Sequence, residues 1–318
     1  MRVNFPFFSK VVFSSQHENI IQIRRFHQNP IITPEMSTTL GDNINGPSLI
    51  RVPEWLSDPL GKYYLYFAHH EGKYIRLAYA DKLEGPWKIY EPGTLKLEET
   101  VCVKHIASPD LHIDNEKQEL RMYFHGPVPE RKKQASFVAT SGDGIHFKTS
   151  PEILGDSYFR VFRWQDYYYA IARLGIVYRS KYGLTQFEAG PNPFNTIFSK
   201  SRVRHLAVQV NGDILYVFYS RIGDNPESIL MSTINLAVNW MKWKASKPVI
   251  IMKPEMDYEG ANLPLIPSGN GIASQPVRQL RDPALFSEED KTFLLYSVAG
   301  ENGIALAEVK GYINHTMA

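Results

Sequence analysis

The sequence predicts an all-β protein, a five-bladed β-propeller, and three observations predict it. First, a short cadence returns five times: a turn, an apolar strand, a gap, and a second strand rich in Tyr and Phe. Second, the first four units repeat at about fifty residues, the period of a four-stranded sheet used as one repeat. Third, Gly, Pro, Asn and Asp gather between the strands, where turns need them. Radial repetition of such sheets makes a propeller. Five blades fit 318 residues, whereas seven would need more chain.

The second strands read YYLYFAHH (Tyr63 to His70), LRMYFHG (Leu120 to Gly126), YYYAIAR (Tyr167 to Arg173), LYVFYSR (Leu215 to Arg221) and FLLYSVAG (Phe293 to Gly300). Third strands follow, as in YIRLAYAD, SILMSTIN and GIALAEV. Each unit opens with an innermost strand: NGPSLIRV, SPDLHID, SYFRVFR, VRHLAVQV and LRDPALF. One domain over residues 29–310 is expected, with an extension at 1–28 and a tail at 311–318. A strand near IIQIRRF (Ile20 to Phe26) could close the fifth blade and remove its free edge.

Composition narrows the function classes. Net charge is +2, and the longest basic run is the RKK at Arg131 to Lys133, so neither nucleic acid nor a membrane surface is an expected partner. Aromatic residues make up 13%, with 18 Tyr. Sheets favour aromatics, and some of these rings could serve as platforms for the apolar face of a sugar. The single cysteine, Cys102, excludes an intrachain disulfide framework. The opening MRVNFPFFSKVVFSS is broken by Asn4, Pro6, Ser9 and Lys10, a poor signal peptide and too short for a span. A cytoplasmic location is the resulting expectation. The one long insertion, Lys244 to Gln279, carries MDYEGANLPLIPSGNG and reads as an ordered loop over a mouth.

Function is expected where the blades converge. Inner strands surround the axis, their starts cluster at one mouth, and the antiparallel second strand returns there. Strand starts contribute Asn45, Asp110, Arg160, Arg204, His205 and Asp282; strand ends contribute His69, His70, His125, Arg173, Arg221 and Glu301. Strand termini adjoin loops, and loops are polar anyway. Polar groups recurring at one register in all five units are a stronger signal than any one of them. A Pro beside a carboxylate also has a plain use, since Pro suits the first position of a strand.

These residues resemble the five-bladed propeller glycoside hydrolases, family 43 and its relatives in families 32, 62, 117 and 130. The segment ASPDLHI is similar to the A-P-D-V strand of the second blade in family 43, and the resemblance implies that Asp110 tunes the general acid. Glu259 in YEGANL is similar to the E-G-P segment that carries that acid, and RDP (Arg281 to Pro283) is similar to a substrate-binding motif of family 32. One departure stands out. Family 43 opens its first blade with D-P-S-I, whose Asp is the general base; here NGPSLI puts Gly46 in that place, after Asn45. Hydrolysis by this route needs a carboxylate on each side of the bond. Asp42 could substitute, or Asp282 with Glu259 as the acid.

The resemblance therefore implies a glycoside hydrolase acting on terminal sugars of an oligo- or polysaccharide, with Asp110, Glu259 and Asp282 catalytic. Arg281 and the mouth residues would bind substrate. The Arg and His surplus suits an anionic sugar, because Arg pairs bidentately with carboxylate or sulfate and His moves protons near neutral pH. Two other readings stay open: a sugar-binding propeller without catalysis, and a polysaccharide lyase working through His and Arg. No cofactor is required. His69, His125, His205 and Asp110 could meet a divalent cation in the central channel, although no local metal signature is present. The oligomeric state is not legible.

Overall fold

The structure is a computed structural model, and it describes residues 8–11, 21–129, 131–196 and 200–311. Five antiparallel sheets surround one axis. From the axis outward, blade 1 is Asn45–Arg51, Tyr63–Ala68, Arg76–Ala80 and Lys88–Tyr90. Blade 2 is Ala107–Asp114, Glu119–Gly126, Ala135–Ser141 and Lys148–Thr149, with Gly155–Asp156 also paired to its third strand. Blade 3 is Arg160–Trp164, Tyr167–Ile171, Val177–Ser180 and Glu188–Ala189. Blade 4 is Val203–Asn211, Ile214–Arg221, Ile229–Asn235 and Val249–Met252.

Blade 5 closes the ring. Arg281–Glu288, Lys291–Ser297 and Ile304–Lys310 come from the end of the chain, and Ile21–Arg25 then pairs with Ile304–Lys310, followed by Phe8–Val11. Joining the two ends of the chain in one sheet protects the edge that would otherwise be left open. Ile20 of the expected closing strand, most of the N-terminal extension and residues 312–318 of the expected tail lie outside the described residues. Among the described residues the helical segments are short 3₁₀ turns, in keeping with an all-β chain.

The apolar runs read from the sequence are the buried middle strands. Tyr63–Ala68 is buried at every position, because blades pack on both of its faces. A strand covered on both sides reads as a continuous apolar run, not as an alternation. Burial is divided into five hydrophobic clusters, one at each interface between neighbouring blades.

A second regularity positions the site. At the start of the inner strand the register advances three residues against two on its partner, between Asn45 and Ser48, Ala107 and Asp110, Val203 and Leu206, and Arg281 and Ala284. Blade 3 repeats it, with Arg173 donating to the Ser157 carbonyl ahead of the Arg160–Ile171 pair. Such bulges re-aim a side chain at the cost of a local kink. The second residue of the bulge is left-handed in four blades: Gly46 (φ +60°), Ser108 (φ +52°), Tyr158 (φ +68°) and Asp282 (φ +46°). Arg204 holds the same place in blade 4.

Candidate functional site at the axial mouth

A funnel of about 370 Å³ opens at the axis, lined by His70, Lys132, Lys133, Gln134, Asp156, Ser157, Tyr158, Arg173, Leu174, Ile176, Arg204, His205, Asn270 and Gly271. Behind Arg204 and His70 of this lining lies a lattice of buried charges. Arg281 Nη1 donates to Glu301 Oε1 at 2.7 Å, and Arg204 Nη2 lies 3.8 Å from the same oxygen. Glu301 Oε2 accepts from Asn43 at 2.7 Å and Asn45 at 3.3 Å, with His70 Nδ1 3.6 Å away. Burial alone would push the Glu301 carboxyl up, but His70, Arg281 and Asn43 together hold it well below the usual carboxylate range.

Glu227 completes the lattice. Its side chain is 0% exposed, its Oε1 accepts from Ser220 Oγ at 2.6 Å, and its Oε2 lies 3.1 Å from Arg281 Nε and 3.7 Å from Arg204 Nη1. Arg281 points its Nε–H at Gln279 (3.0 Å), which leaves Glu227 Oε2 without an aligned donor. Burial raises the Glu227 carboxyl, against the pull of the two guanidiniums. An unpaired buried charge is costly, and in this lattice two arginines and two glutamates answer one another.

Next to the lattice are His205 and Tyr158, which line the funnel, and Asp282 behind them. His205 Nε2 is 3.3 Å from the Tyr158 hydroxyl, and Nδ1 is 2.9 Å from Asp282 Oδ1, at ion-pair distance but out of line for a hydrogen bond. Burial, aided by Arg204, pulls the imidazole down to about 4 although Asp282 pulls the other way. At neutral pH His205 is therefore neutral and Asp282 ionised. The Tyr158 ring sits between His125 and His205, with centroids 4.1 and 4.9 Å away. His125 is buried and driven well below the ordinary histidine value, and its Nδ1 has no hydrogen-bond partner among the described residues.

The insertion covers part of the mouth. Arg204 donates to the carbonyls of Gly269 and Gly271, Arg281 to that of Gly271 (3.3 Å), and Arg173 to the Asn270 side chain (2.7 Å). Ser268 fastens the segment to blade 4 through Gly223 and Arg221.

Other candidates fall elsewhere, Glu259 among them. It accepts from Arg25 Nε (2.7 Å) and Nη2 (3.1 Å), Tyr296 (2.9 Å) and the backbone of Glu255 and Met256, locking the insertion to the closing strand. It is not among the residues lining the funnel, because its half of the insertion is bonded to Arg25 and Tyr296 of blade 5, with Tyr258 packed between blades 4 and 5. Asp110 also does not line the funnel: its Oδ2 accepts from His112 Nε2 at 2.9 Å and from the Val161 backbone at 2.8 Å, linking blades 2 and 3. Burial opposes its ionisation, but His112, Arg160 and the Val161 amide hold it low. His69 Nδ1 accepts a turn amide from Glu71 (2.9 Å), Arg160 donates to the carbonyls of Ser108 and Phe159, and Arg221 pairs with Asp224 at 3.0 Å. Asn45, His70, His125, Arg173, Arg204, His205, Arg281, Asp282 and Glu301 do come together at the axis. Among the described residues no group of three or more His, Cys, Asp or Glu is arranged to hold a metal.

The sequence reading missed Tyr158, Glu227, Lys132, Lys133 and Asp156. Two of these had a signal. Aligning NGPSL, ASPDL and RDPAL by their Pro puts Gly46, Ser108 and Asp282 in one position, and SYFR then places Tyr158 beside them. Glu227 precedes the third strand of blade 4 much as Glu301 does in blade 5.

No family model matches the chain. "Uncharacterized protein R118" of Acanthamoeba polyphaga mimivirus is 38% identical over 318 aligned residues, covering 90% of this chain and 89% of that protein. The chain belongs to the same family as this mimivirus protein. Among solved structures it is similar to a thermostable family-43 glycoside hydrolase, at 14% identity and a TM-score of 0.57, over 86% of this chain and 91% of that one. A putative glycoside hydrolase from Parabacteroides distasonis gives 12% identity and a TM-score of 0.62, over 90% and 95%. A family 43 enzyme from Xanthomonas citri complexed with xylose gives 12% and 0.61, over 89% and 92%. The fold is thus that of the five-bladed propeller glycoside hydrolases.

Proposed function

We propose that the protein is a carbohydrate-active enzyme that takes a terminal sugar into the axial funnel and cleaves its glycosidic bond. The observation that carries this reading is the funnel itself. Its volume of about 370 Å³ lies at the lower end of ligand pockets, it is partly roofed by the insertion, and its wall presents His205 and Tyr158, groups able to move protons. The xylose complex of a structural neighbour shows that such a propeller can seat a sugar in another protein. The sugar of this funnel is acidic. Lys132 and Lys133 have no carboxylate within ion-pair distance among the described residues, and Arg173 is bonded to a neutral amide.

A lyase is the second reading, favoured by one observation: the only carboxylate lining the funnel among the described residues is Asp156. Hydrolysis by a pair of carboxylates needs both within reach of the bond, whereas β-elimination needs a base and a cation on the acid group. Incubating the protein with neutral and uronic-acid-terminated oligosaccharides separates the readings. New reducing ends without ultraviolet absorbance mean hydrolysis, and an absorbing unsaturated product means elimination. Saturable binding without either product means a binding protein, and no binding to any sugar overturns the proposal.

A further inference from the structure

We propose that Tyr158, His205 and Asp282 form a proton relay opening on the funnel, with His205 as base, Tyr158 touching the substrate and Asp282 positioning the imidazole. The proposal rests on the reading of the funnel as a sugar site. It moves the working carboxylate from blade 1 to blade 5. Gly46 and Asp282 occupy the same bulge position, each left-handed and each followed by Pro. A Cβ on Gly46 would lie 3.1 Å from Ser108 Cα on a left-handed backbone, so a carboxylate in blade 1 would carry strain and push Ser108 aside by a few tenths of an ångström.

The backbone supports the assignment independently. A bulky aromatic at φ +68° is an uncommon and strained conformation, and such strain gathers at functional sites. At Tyr158 it turns the ring into the space between two histidines, with the hydroxyl 3.3 Å from His205 Nε2 in a residue that lines the funnel. The charged and titratable groups facing His205 are Asp282 and Glu301 from blade 5, Arg204 from its own strand, Tyr158 from blade 3 and His125 from blade 2. A neutral imidazole backed by an ionised carboxylate takes a proton at one nitrogen while the other stays oriented. Catalytic contacts in a ligand-free site are often long or poorly aligned, as the 3.3 Å and 2.9 Å separations here are.

In hydrolysis the attacking water gives a proton to Tyr158 Oη as the Tyr158 proton passes to His205 Nε2. The water oxygen bonds to the anomeric carbon, the glycosidic carbon–oxygen bond breaks, and the departing oxygen takes the proton back through the relay. In elimination the same base takes the proton from the ring carbon beside the acid group, and the leaving oxygen is protonated in turn.

Nitrogen NMR of histidine-labelled protein tests the relay without any substrate. The expected signature is a neutral His205 carrying its proton on Nδ1, titrating below the ordinary histidine value, with Asp282→Asn moving the midpoint lower still. A proton on Nε2, or a midpoint that Asp282→Asn does not move, overturns the relay. On any oligosaccharide that the wild type cleaves, His205→Gln should lower kcat by roughly a hundredfold or more with KM within a few-fold. Tyr158→Phe, which removes only the hydroxyl, should do likewise, and Asp282→Asn should shift the acid limb of the pH–rate profile downward. Undiminished turnover in both His205→Gln and Tyr158→Phe overturns the relay and leaves the sugar reading standing. The NMR signature without cleavage or binding of any sugar overturns that reading instead.

Discussion

Glu259→Gln separates structure from chemistry most clearly. Glu259 is 0% exposed and accepts five hydrogen bonds, two of them from Arg25, whose side chain is 6% exposed. Glutamine keeps an acceptor for Tyr296 or the backbone amides but leaves the Arg25 charge buried. Removing one partner of a buried pair costs about 3–5 kcal/mol. Glu255, 3.3 Å from Arg25 Nη2 and half exposed, can take up part of the charge, so the low end, about 3 kcal/mol, is expected. Denaturant unfolding measures the loss, and kcat on activated and unactivated glycosides measures any chemical role. The expected result is a lower unfolding midpoint with both rates unchanged, and recovery of part of the stability in Arg25→Met/Glu259→Gln. A rate loss confined to poor leaving groups, with stability kept within about 0.5 kcal/mol, would refute this account and restore Glu259 as a general acid.

Four further outcomes follow. Gly46→Asp should not supply a base: with φ +60° and Ser108 Cα 3.1 Å from the new Cβ, it should lower the unfolding midpoint without raising turnover. Asp110→Asn should cost stability of about 1–3 kcal/mol, because the charged bridge to Val161 and His112 is weakened, while turnover stays within a few-fold; a loss of orders of magnitude in turnover would return Asp110 to the chemistry. As pH falls from 6.5 toward about 4, the unfolded chain binds a proton that buried His205 refuses, so stability should fall across that window. Asp110, Asp282 and Glu301, held low in the fold, should extend the fall at lower pH, and His205→Gln should flatten the upper part of the curve. Treatment with a chelator should leave the unfolding midpoint unchanged, since Arg204 and Arg281 already balance the axial glutamates; a marked drop would point to a bound cation.

The fold was legible because its signals are local and repeated. A strand such as Tyr63–Ala68, apolar on both faces, announces a sheet packed on both sides, and its recurrence sets the blade count. The axial ring was legible for the same reason, as Arg204, His205, Asp282 and Glu301 all reach it. Tyr158 was hidden because an aromatic in an aromatic-rich strand reads as core, and only the shared bulge reveals that its backbone turns inward. The surroundings of Glu259 were hidden for the opposite reason. Its motif fitted a catalytic segment, but Arg25, more than two hundred residues earlier in the chain, claims its carboxylate, and no local pattern records a partner so distant. Lys132 and Lys133 sit at the funnel because the blade 2 loop folds over the axis, a tertiary choice invisible in a short basic run.

The most direct test of the funnel as the working site is a crystal of the protein soaked with a uronic-acid-terminated disaccharide. The terminal ring is expected in the axial funnel, its acid group against Lys132, Lys133 or Arg173 and a ring substituent within hydrogen-bond distance of the Tyr158 hydroxyl. A sugar seated elsewhere on the propeller, with the funnel filled by water alone, would contradict it.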